Sequence, residues 1–274
     1  MLHDQHMHSS YSKDSTEKLR NYFVEAQKQG IKYVLTCEHY DFATTVDGTT
    51  WDVDYDALIL EHQSLQKEFP EITPLLGLEL GYRKDYFNEM VDIASKYDYD
   101  LIQLSIHDSG EGDYYFVETF EPGIDKIMNQ YFDLMEEAIN SFDNYEVLSH
   151  IDFGFKTVLL IDPNYQFSRY EERIKKIFKL IIKNNKALEI NSKVLSTINK
   201  IYSKNKTNYQ YDDHLKYILN LYKKCGGKKL TLSSDAHSVD RYRLDFDKHI
   251  NVIKELGFTE LSYYIKRKEY LYKI

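Results

Sequence analysis

The chain repeats one order of segments: a short apolar run, a polar stretch and a longer segment with 3.6-residue periodicity. Each apolar run predicts a strand and each periodic segment a helix, which is the βα alternation of a parallel sheet. Seven strands are close to the closure of a barrel, one unit short of the common eight-stranded form. An open doubly wound sheet is the alternative. The predicted strands comprise residues 2–8, 33–37, 75–80, 101–106, 146–149, 187–191 and 229–233.

The first unit illustrates how the helices are assigned. Asp14 precedes Glu17 by three positions, a capping-box pattern that predicts the start of the first helix. Leu19 and Phe23 lie four positions apart and begin the apolar stripe of that helix. Gly30 stands where the helix is expected to end, because glycine readily adopts the left-handed conformation of a C-cap.

Composition limits the partners and the domain organisation. The 274 residues contain 4 prolines and 11 glycines, without a linker or an internal repeat, which favours a single domain over residues 1–274. A net charge of -9 without a long basic block argues against nucleic acid as a partner. No run approaches the roughly 18 apolar residues of a membrane span. Two cysteines and no apolar N-terminal signal predict a cytoplasmic protein. These features indicate no particular oligomeric state.

Side chains that bind metal ions follow the predicted strands at their carboxyl ends, where parallel α/β proteins build their sites. His6 and His8 end the first strand, and alternate residues of a strand point to the same face, so their imidazoles are expected to converge. Later units add four histidines and three acids, namely Asp14, His39, Glu79, His107, His150, Asp235 and His237. The sequence therefore predicts a metal site at one rim of the sheet.

The number of these ligands indicates more than one ion. Glu79 lies in the apolar run 75–80, where a carboxylate is costly to bury unless a cation or another partner meets it. Six neutral imidazoles and three carboxylates exceed what one tetrahedral or octahedral centre uses, so two or three divalent ions fit better. Zinc, manganese and iron all suit this donor set. The excess positive charge would attract a phosphate dianion.

Short motifs around these side chains occur in one order along the chain, up to about residue 237. They are His6-Met7-His8, Asp14, His39, Gly77-Leu78-Glu79, Ser105-Ile106-His107, Ser149-His150-Ile151-Asp152 and Ser234-Asp235-Ala236-His237. The set resembles the polymerase and histidinol phosphatase (PHP) superfamily. The chain length, the absence of a polymerase domain and the His150-Ile151-Asp152 stretch resemble the histidinol-phosphate phosphatases within it.

The resemblance implies a distorted (β/α)7 TIM-like barrel with three divalent ions (zinc, manganese or iron). The implied ligands of the three ions are, in turn, His6, His8, Glu79 and Asp235; the bridging Glu79 with His107 and His150; and Asp14, His39 and His237. The implied reaction is hydrolysis of L-histidinol phosphate to L-histidinol and phosphate in histidine biosynthesis. In the implied mechanism, a hydroxide shared by two ions would attack phosphorus, and Asp14, His237 or a metal-bound water would protonate the leaving alkoxide.

Substrate contacts are predicted on three segments. Lys156, six residues after His150, is the best candidate for a cation that binds the phosphate. The family often places an arginine after the sixth strand, and Lys193 is the stand-in here. The loop 108–122 is acidic and aromatic, with Tyr115 and Glu118, and suits a cationic amine and an imidazole ring. The loop 41–56 is long enough to act as a lid.

Three alternatives stay open on sequence grounds. An amidohydrolase barrel also begins with His-x-His, but it normally places a lysine after strand four, where this chain has His107. A PHP phosphoesterase could act instead on a nucleotide, another amino-alcohol or sugar phosphate, or a phosphotyrosyl peptide. A non-catalytic metal-binding regulator would keep the same fold, although the complete ligand set argues against it.

Overall fold

The computed structural model of the protein describes residues 3–116, 123–205 and 213–274. Within these ranges six parallel strands form one sheet in the order of the chain. They are β1 (Tyr33–Tyr40), β2 (Thr73–Gly81), β3 (Leu101–Ser105), β4 (Val147–Leu148), β5 (Ala187–Asn191) and β6 (Leu230–Ser233). All six overlap predicted strands. Because neighbours in the sheet are also neighbours in sequence, the sheet is the curled sheet of a barrel, and the doubly wound alternative is wrong.

Helices connect the strands and surround the sheet. In the described ranges they are α1 (Leu19–Gln29), α2 (Tyr55–Glu68), α3 (Phe87–Lys96), α4 (Ile124–Ser141), α5 (Phe153–Ile161), α6 (Glu171–Lys183), α7 (Ser192–Lys204), α8 (Asp213–Lys224) and α9 (Phe246–Glu255). Their apolar faces pack on the outer face of the strands in one continuous core. Within the described residues, no helix has both the length and the hydropathy to cross a bilayer.

Helix α1 begins later than predicted. Its N-cap is Lys18, whose side chain makes no capping hydrogen bond, and the first helical residue is Leu19. The capping role predicted for Asp14 is therefore wrong, because its carboxylate instead lies 2.8 Å from His237 Nε2 across the rim of the barrel. The predicted end is confirmed: Gly30 has φ 65°, and its N–H donates to the carbonyls of the last helical turn.

The N-terminal segment lies where the first predicted strand of the barrel was expected, but it does not form a regular strand. The prediction of a strand over residues 2–8 is wrong in this respect, and residue 2 lies outside the described residues. Met7 makes a single parallel bridge to Ala236 after β6, and His8 N donates to Ala236 O at 2.8 Å. On the other side, Cys37 N in β1 donates to Met7 O at 2.9 Å. The segment therefore closes the barrel between β6 and β1 through a few hydrogen bonds.

A C-terminal hairpin covers the end of the barrel opposite the predicted site. It consists of β7 (Glu260–Ile265) and β8 (Lys268–Lys273), which pair antiparallel. Tyr264 packs against a small apolar cluster at the amino ends of the strands, which includes Leu35 and Leu101. Lys266 N donates to Asp100 Oδ1 at 2.8 Å. The end of the barrel that the hairpin covers is its floor, and the interior is apolar there. The polar side chains of the interior lie toward the carboxyl ends of the strands.

Candidate metal centre

Glu79 lies at the centre of the predicted ligands. It is fully buried in β2, and its Oε2 atom faces three imidazoles. The distances from Oε2 are 3.1 Å to His6 Nε2, 3.5 Å to His8 Nε2 and 2.8 Å to His39 Nδ1. The pairing of β1 with β2 places His39 directly beside Glu79. One carboxylate oxygen therefore collects histidines from two separate segments of the chain.

The second oxygen of Glu79 faces the following strands. Oε1 lies 3.0 Å from His107 Nε2 and 2.9 Å from His150 Nε2. Ser105 Oγ donates a hydrogen bond to the same oxygen at 2.7 Å. His107 and His150 follow β3 and β4, which are adjacent in the sheet. Side chains from the carboxyl ends of the four consecutive strands β1 to β4 therefore meet at Glu79.

Two further carboxylates complete the rim. Asp235 Oδ1 lies 3.3 Å from His8 Nε2 and 3.4 Å from His237 Nδ1. Asp14 Oδ2 lies 2.8 Å from His237 Nε2 and 3.6 Å from His39 Nε2. Asp235 has φ 53°, a left-handed conformation that is unfavourable for a residue with a Cβ and that often marks a functional site. The structure therefore brings all nine predicted ligands together.

The chemistry of this cluster fits divalent cations. Four buried atoms that face one another have no hydrogen-bond partner among the described residues: His6 Nε2, His8 Nε2, His39 Nδ1 and Glu79 Oε2. Buried lone pairs and a buried carboxylate are costly to leave without a proton or a cation between them. Three groups of residues each offer three ligand atoms that lie within 4.8 Å of one another. The groups are His6/His8/Asp235, His39/Glu79/His107 and His8/His39/His237. Nitrogen and oxygen donors of this kind bind zinc, manganese and iron.

The electrostatics of the cluster also favour positive charge. Burial opposes protonation of His6, but the carboxylates of Glu79 and Glu189 outweigh it and raise the pKa of His6 well above its ordinary value. Glu79 and Asp14 likewise raise the pKa of His39 against the effect of burial. Conversely, burial would raise the pKa of Glu79, but the surrounding imidazoles lower it well below the ordinary value. An electrostatic field that favours protonated imidazoles also favours metal cations at the same positions.

Three buried carboxylates that the sequence analysis missed orient the histidines. Glu189 Oε1 accepts from His6 Nδ1 at 2.7 Å, and Asp41 Oδ1 accepts from His107 Nδ1 at 2.9 Å. Glu38 binds Ser12, whose hydroxyl lies 3.1 Å from His8 Nδ1. Glu189, like Glu79, is a carboxylate within an apolar strand. The sequence signal that identified Glu79 could therefore have identified Glu189 as well. Asp41 and Glu38 carried no such signal, because they flank His39 in a polar stretch.

The predicted substrate side chains lie on one side of the cluster. Lys156 is 6% exposed, and its Nζ lies 3.6 Å from the centre of the Phe153 ring and 4.3 Å from that of Tyr115. Lys193 Nζ lies 3.3 Å from Asp235 Oδ1 and also contacts the ring of His237. Glu118 lies outside the described residues.

A cavity of about 350 Å³ opens directly over the candidate ligands. Its outer wall is aromatic: Trp51 comes from the loop that was predicted to act as a lid, and Tyr115 and Phe116 come from the loop that was predicted to contact substrate. Asp113, which is 7% exposed, adds a carboxylate to this wall. The cavity thus has a charged floor and an aromatic, acidic side, which suits a small polar molecule with an anionic end and a cationic end.

The fold and these side chains define a class of protein, a parallel α/β barrel with a histidine-rich metal centre at the carboxyl ends of its strands. The chain belongs to the PHP domain family, whose model matches residues 4–193. The family resemblance drawn from the motifs is thereby confirmed.

Known relatives are similar over nearly the whole chain. The chain is 28% identical to the histidinol-phosphatase of Lactococcus lactis subsp. lactis (strain IL1403), over 94% of this chain and 93% of the relative. It is 23% identical to a probable histidinol-phosphatase of Clostridium acetobutylicum, over 96% of this chain and 97% of the relative. The crystal structure of the Lactococcus lactis histidinol phosphate phosphatase matches with a TM-score of 0.80 at 25% identity, over 97% of this chain and 98% of that one. That crystal contains zinc, L-histidinol and phosphate.

Proposed function

We propose that the chain is a metal-dependent phosphatase that hydrolyses L-histidinol phosphate to L-histidinol and phosphate, a step of histidine biosynthesis. The observation that carries the proposal is Glu79, a fully buried carboxylate with five imidazole nitrogens within 3.5 Å of its oxygens. Such a constellation is stable only around positive charge. The Lactococcus lactis relative, crystallised with zinc and both products of this reaction, supports the choice of substrate. The predicted cytoplasmic location is part of the same proposal.

The proposal includes three divalent ions per chain. The first would be held by His6, His8, Glu79 and Asp235, the second by Glu79, His107 and His150, and the third by Asp14, His39 and His237. Three sets of three ligand residues support that number, although the sets share His8 and His39. Their membership differs in detail, because His39 lies beside Glu79 as well as beside Asp14. Bound ions supply Lewis-acid chemistry, which neutralises phosphoryl charge and activates water.

The chain's own cations bind the phosphoryl group in this proposal. Lys156 Nζ contacts the rings of Phe153 and Tyr115, which line the cavity, and Lys193 reaches its edge from the N-terminal turn of α7. Both carry ammonium groups that donate hydrogen bonds to phosphate oxygens. Asp14 and His237 line the cavity, and they are the candidates for protonating the leaving oxygen.

The aromatic and acidic wall of the cavity supports the proposed preference. Histidinol carries an ammonium group and an imidazole. Asp113 offers a carboxylate for the ammonium, while Trp51 and Phe116 offer ring faces for the imidazole.

The test is phosphate release from a panel of monoesters by metal-free protein and by protein reloaded with zinc or manganese. The panel contains histidinol phosphate, a nucleotide, a sugar phosphate and a phosphotyrosyl peptide. We expect metal-dependent hydrolysis with the highest kcat/KM for histidinol phosphate. Glu79→Gln should abolish turnover, and Asp100→Asn, which changes a carboxylate at the floor of the barrel, should leave it intact.

Two other outcomes would replace the proposal. Hydrolysis of nucleotides or phosphotyrosyl peptide without hydrolysis of histidinol phosphate would retain the metal centre and change the substrate. Tight metal binding without hydrolysis of any ester would indicate a metal-binding regulator.

A further inference from the structure

Glu189 is a buried carboxylate at the centre of the barrel interior, on β5. It is 3% exposed and receives four hydrogen bonds from four different parts of the chain. Oε1 accepts from His6 Nδ1 at 2.7 Å and from Ser233 Oγ at 2.5 Å. Oε2 accepts from the backbone N–H of His150 at 2.8 Å and from Asn191 Nδ2 at 3.2 Å.

These four donors use the full acceptor capacity of the carboxylate, which has about four lone-pair positions. Glu189 therefore has no lone pair left for a metal ion. It contacts Nδ1 of His6 and not Nε2, which faces Glu79. Its effect on a metal centre must pass through the groups that it binds.

One of those groups is the ring of His6. Because Nδ1 donates its hydrogen to Glu189, the lone pair of His6 lies on Nε2, which is directed at Glu79 Oε2 at a distance of 3.1 Å. The opposite tautomer would place a hydrogen on Nε2 and remove the metal-binding lone pair. A carboxylate that accepts the hydrogen of Nδ1 also makes Nε2 a stronger metal ligand.

The same carboxylate also fixes the turn that carries His150. Its bond to the backbone N–H of His150 lies at the start of the segment that places His150 Nε2 2.9 Å from the other oxygen of Glu79. His6 stands on the N-terminal segment, whose backbone bonds to the barrel are few. The backbone of His6 is held by the hydrogen bond from Asp235 N to His6 O at 2.8 Å, and the side-chain bond from Glu189 on β5 adds a constraint on its ring.

We propose that Glu189 is a positioning residue that holds His6 in its metal-binding tautomer and ties it to the turn bearing His150, so that two metal sites depend on one carboxylate that binds no metal. The inference rests on the metal centre of the proposed function but not on its substrate.

Glu189→Gln tests it with little change in volume. The amide keeps one acceptor oxygen and gains an N–H2 group, so either His6 Nδ1–H or the His150 N–H must face another donor. We expect zinc affinity, measured by competition with a chromophoric chelator, to fall about 10- to 100-fold. The absorption spectrum of cobalt-loaded protein should also change. Wild-type zinc affinity and an unchanged cobalt spectrum would overturn the inference.

Asp100→Asn is the matched control. Like Glu189, Asp100 is a carboxylate that binds backbone N–H groups. It accepts from Leu76 N and Lys266 N, but it lies at the floor of the barrel. Its variant should lose some stability and retain zinc affinity. Equal losses of affinity in both variants would reduce Glu189 to a structural role and contradict the inference.

Nitrogen NMR of the histidines in zinc-loaded wild-type protein provides a test that does not depend on a variant folding. The inference requires hydrogen on His6 Nδ1 and none on Nε2, and the reverse tautomer would refute it. Wild-type protein that binds no zinc would instead count against the proposed function itself.

Discussion

Replacing Lys156 with methionine is expected to stabilise the metal-free protein. Burial, followed by the charge of Lys193, lowers the pKa of Lys156 from 10.5 to about 7. Each pKa unit corresponds to about 1.4 kcal/mol, so keeping this lysine charged opposes folding by roughly 3–5 kcal/mol. The contacts of its ammonium with the rings of Phe153 and Tyr115 offset about 2 kcal/mol or more of this. Methionine fills a similar volume without charge, so we expect a net gain on the order of 1–3 kcal/mol at neutral pH.

The gain should depend on pH in a definite direction. The pKa of Lys156 is lower in the folded state than in the unfolded state. At pH values above the unfolded pKa, both states hold neutral lysine and the variant has no advantage from charge. As pH falls, the unfolded lysine is protonated first, and the advantage of the variant grows until about pH 7, below which it is constant.

Urea unfolding of metal-free wild-type and Lys156→Met protein between about pH 6 and pH 10 measures this difference. Lys200→Met, at an exposed position of α7, is the control and should show no such dependence. When the protein is loaded with metal, the same Lys156 variant should raise KM for the phosphate ester by about tenfold or more, because a charged hydrogen bond contributes roughly 1.5–3 kcal/mol. A variant that is less stable than wild type at every pH would refute the reasoning from burial.

Three further changes test other parts of the site. Glu79→Gln should retain the fold and lose the two ions that Glu79 would hold, as measured by elemental analysis, because a neutral amide cannot balance cations bound by the five surrounding imidazoles. A variant with normal metal content would show that the carboxylate is merely structural. Lys193→Ala should raise KM for the phosphate ester about tenfold with a smaller change in kcat, and an unchanged KM would remove Lys193 from phosphate binding. Trp51→Ala should weaken inhibition by histidinol more than inhibition by inorganic phosphate, and equal effects on both would argue against an aromatic subsite for the imidazole.

Much of the fold and of the site could be predicted because the relevant signals are local. Each apolar run such as 75–80 is short and bounded, so β2 and the other regular strands of the sheet were located from their own residues. The candidate ligands follow those runs, and parallel strands bring their carboxyl ends together whatever the detailed register. Their convergence on Glu79 therefore required no knowledge of the packing.

The elements that were missed depend on contacts between distant segments. The N-terminal segment alternates as a strand does, but its ladder is confined to a bridge between Met7 and Ala236, more than 200 residues away. The hairpin of β7 and β8 turns at Lys266 and Arg267, which have φ of 50° and 61°. Such a turn normally uses glycine or asparagine, so the usual sequence signal of a hairpin was absent.

The role of Asp14 shows how one local pattern can hide another. Its spacing from Glu17 matches a capping box, yet α1 starts at Leu19 and Asp14 instead contacts His237, 223 residues further along the chain. A carboxylate near a helix start is common in either role. Only the position of the last unit of the barrel decides between them.

Anomalous scattering from crystals loaded with zinc locates each bound ion among the side chains. We expect three peaks around Glu79, each within coordination distance of histidines that follow different strands of the barrel. Peaks elsewhere on the molecule, or none at this rim while the protein remains folded, would contradict this expectation.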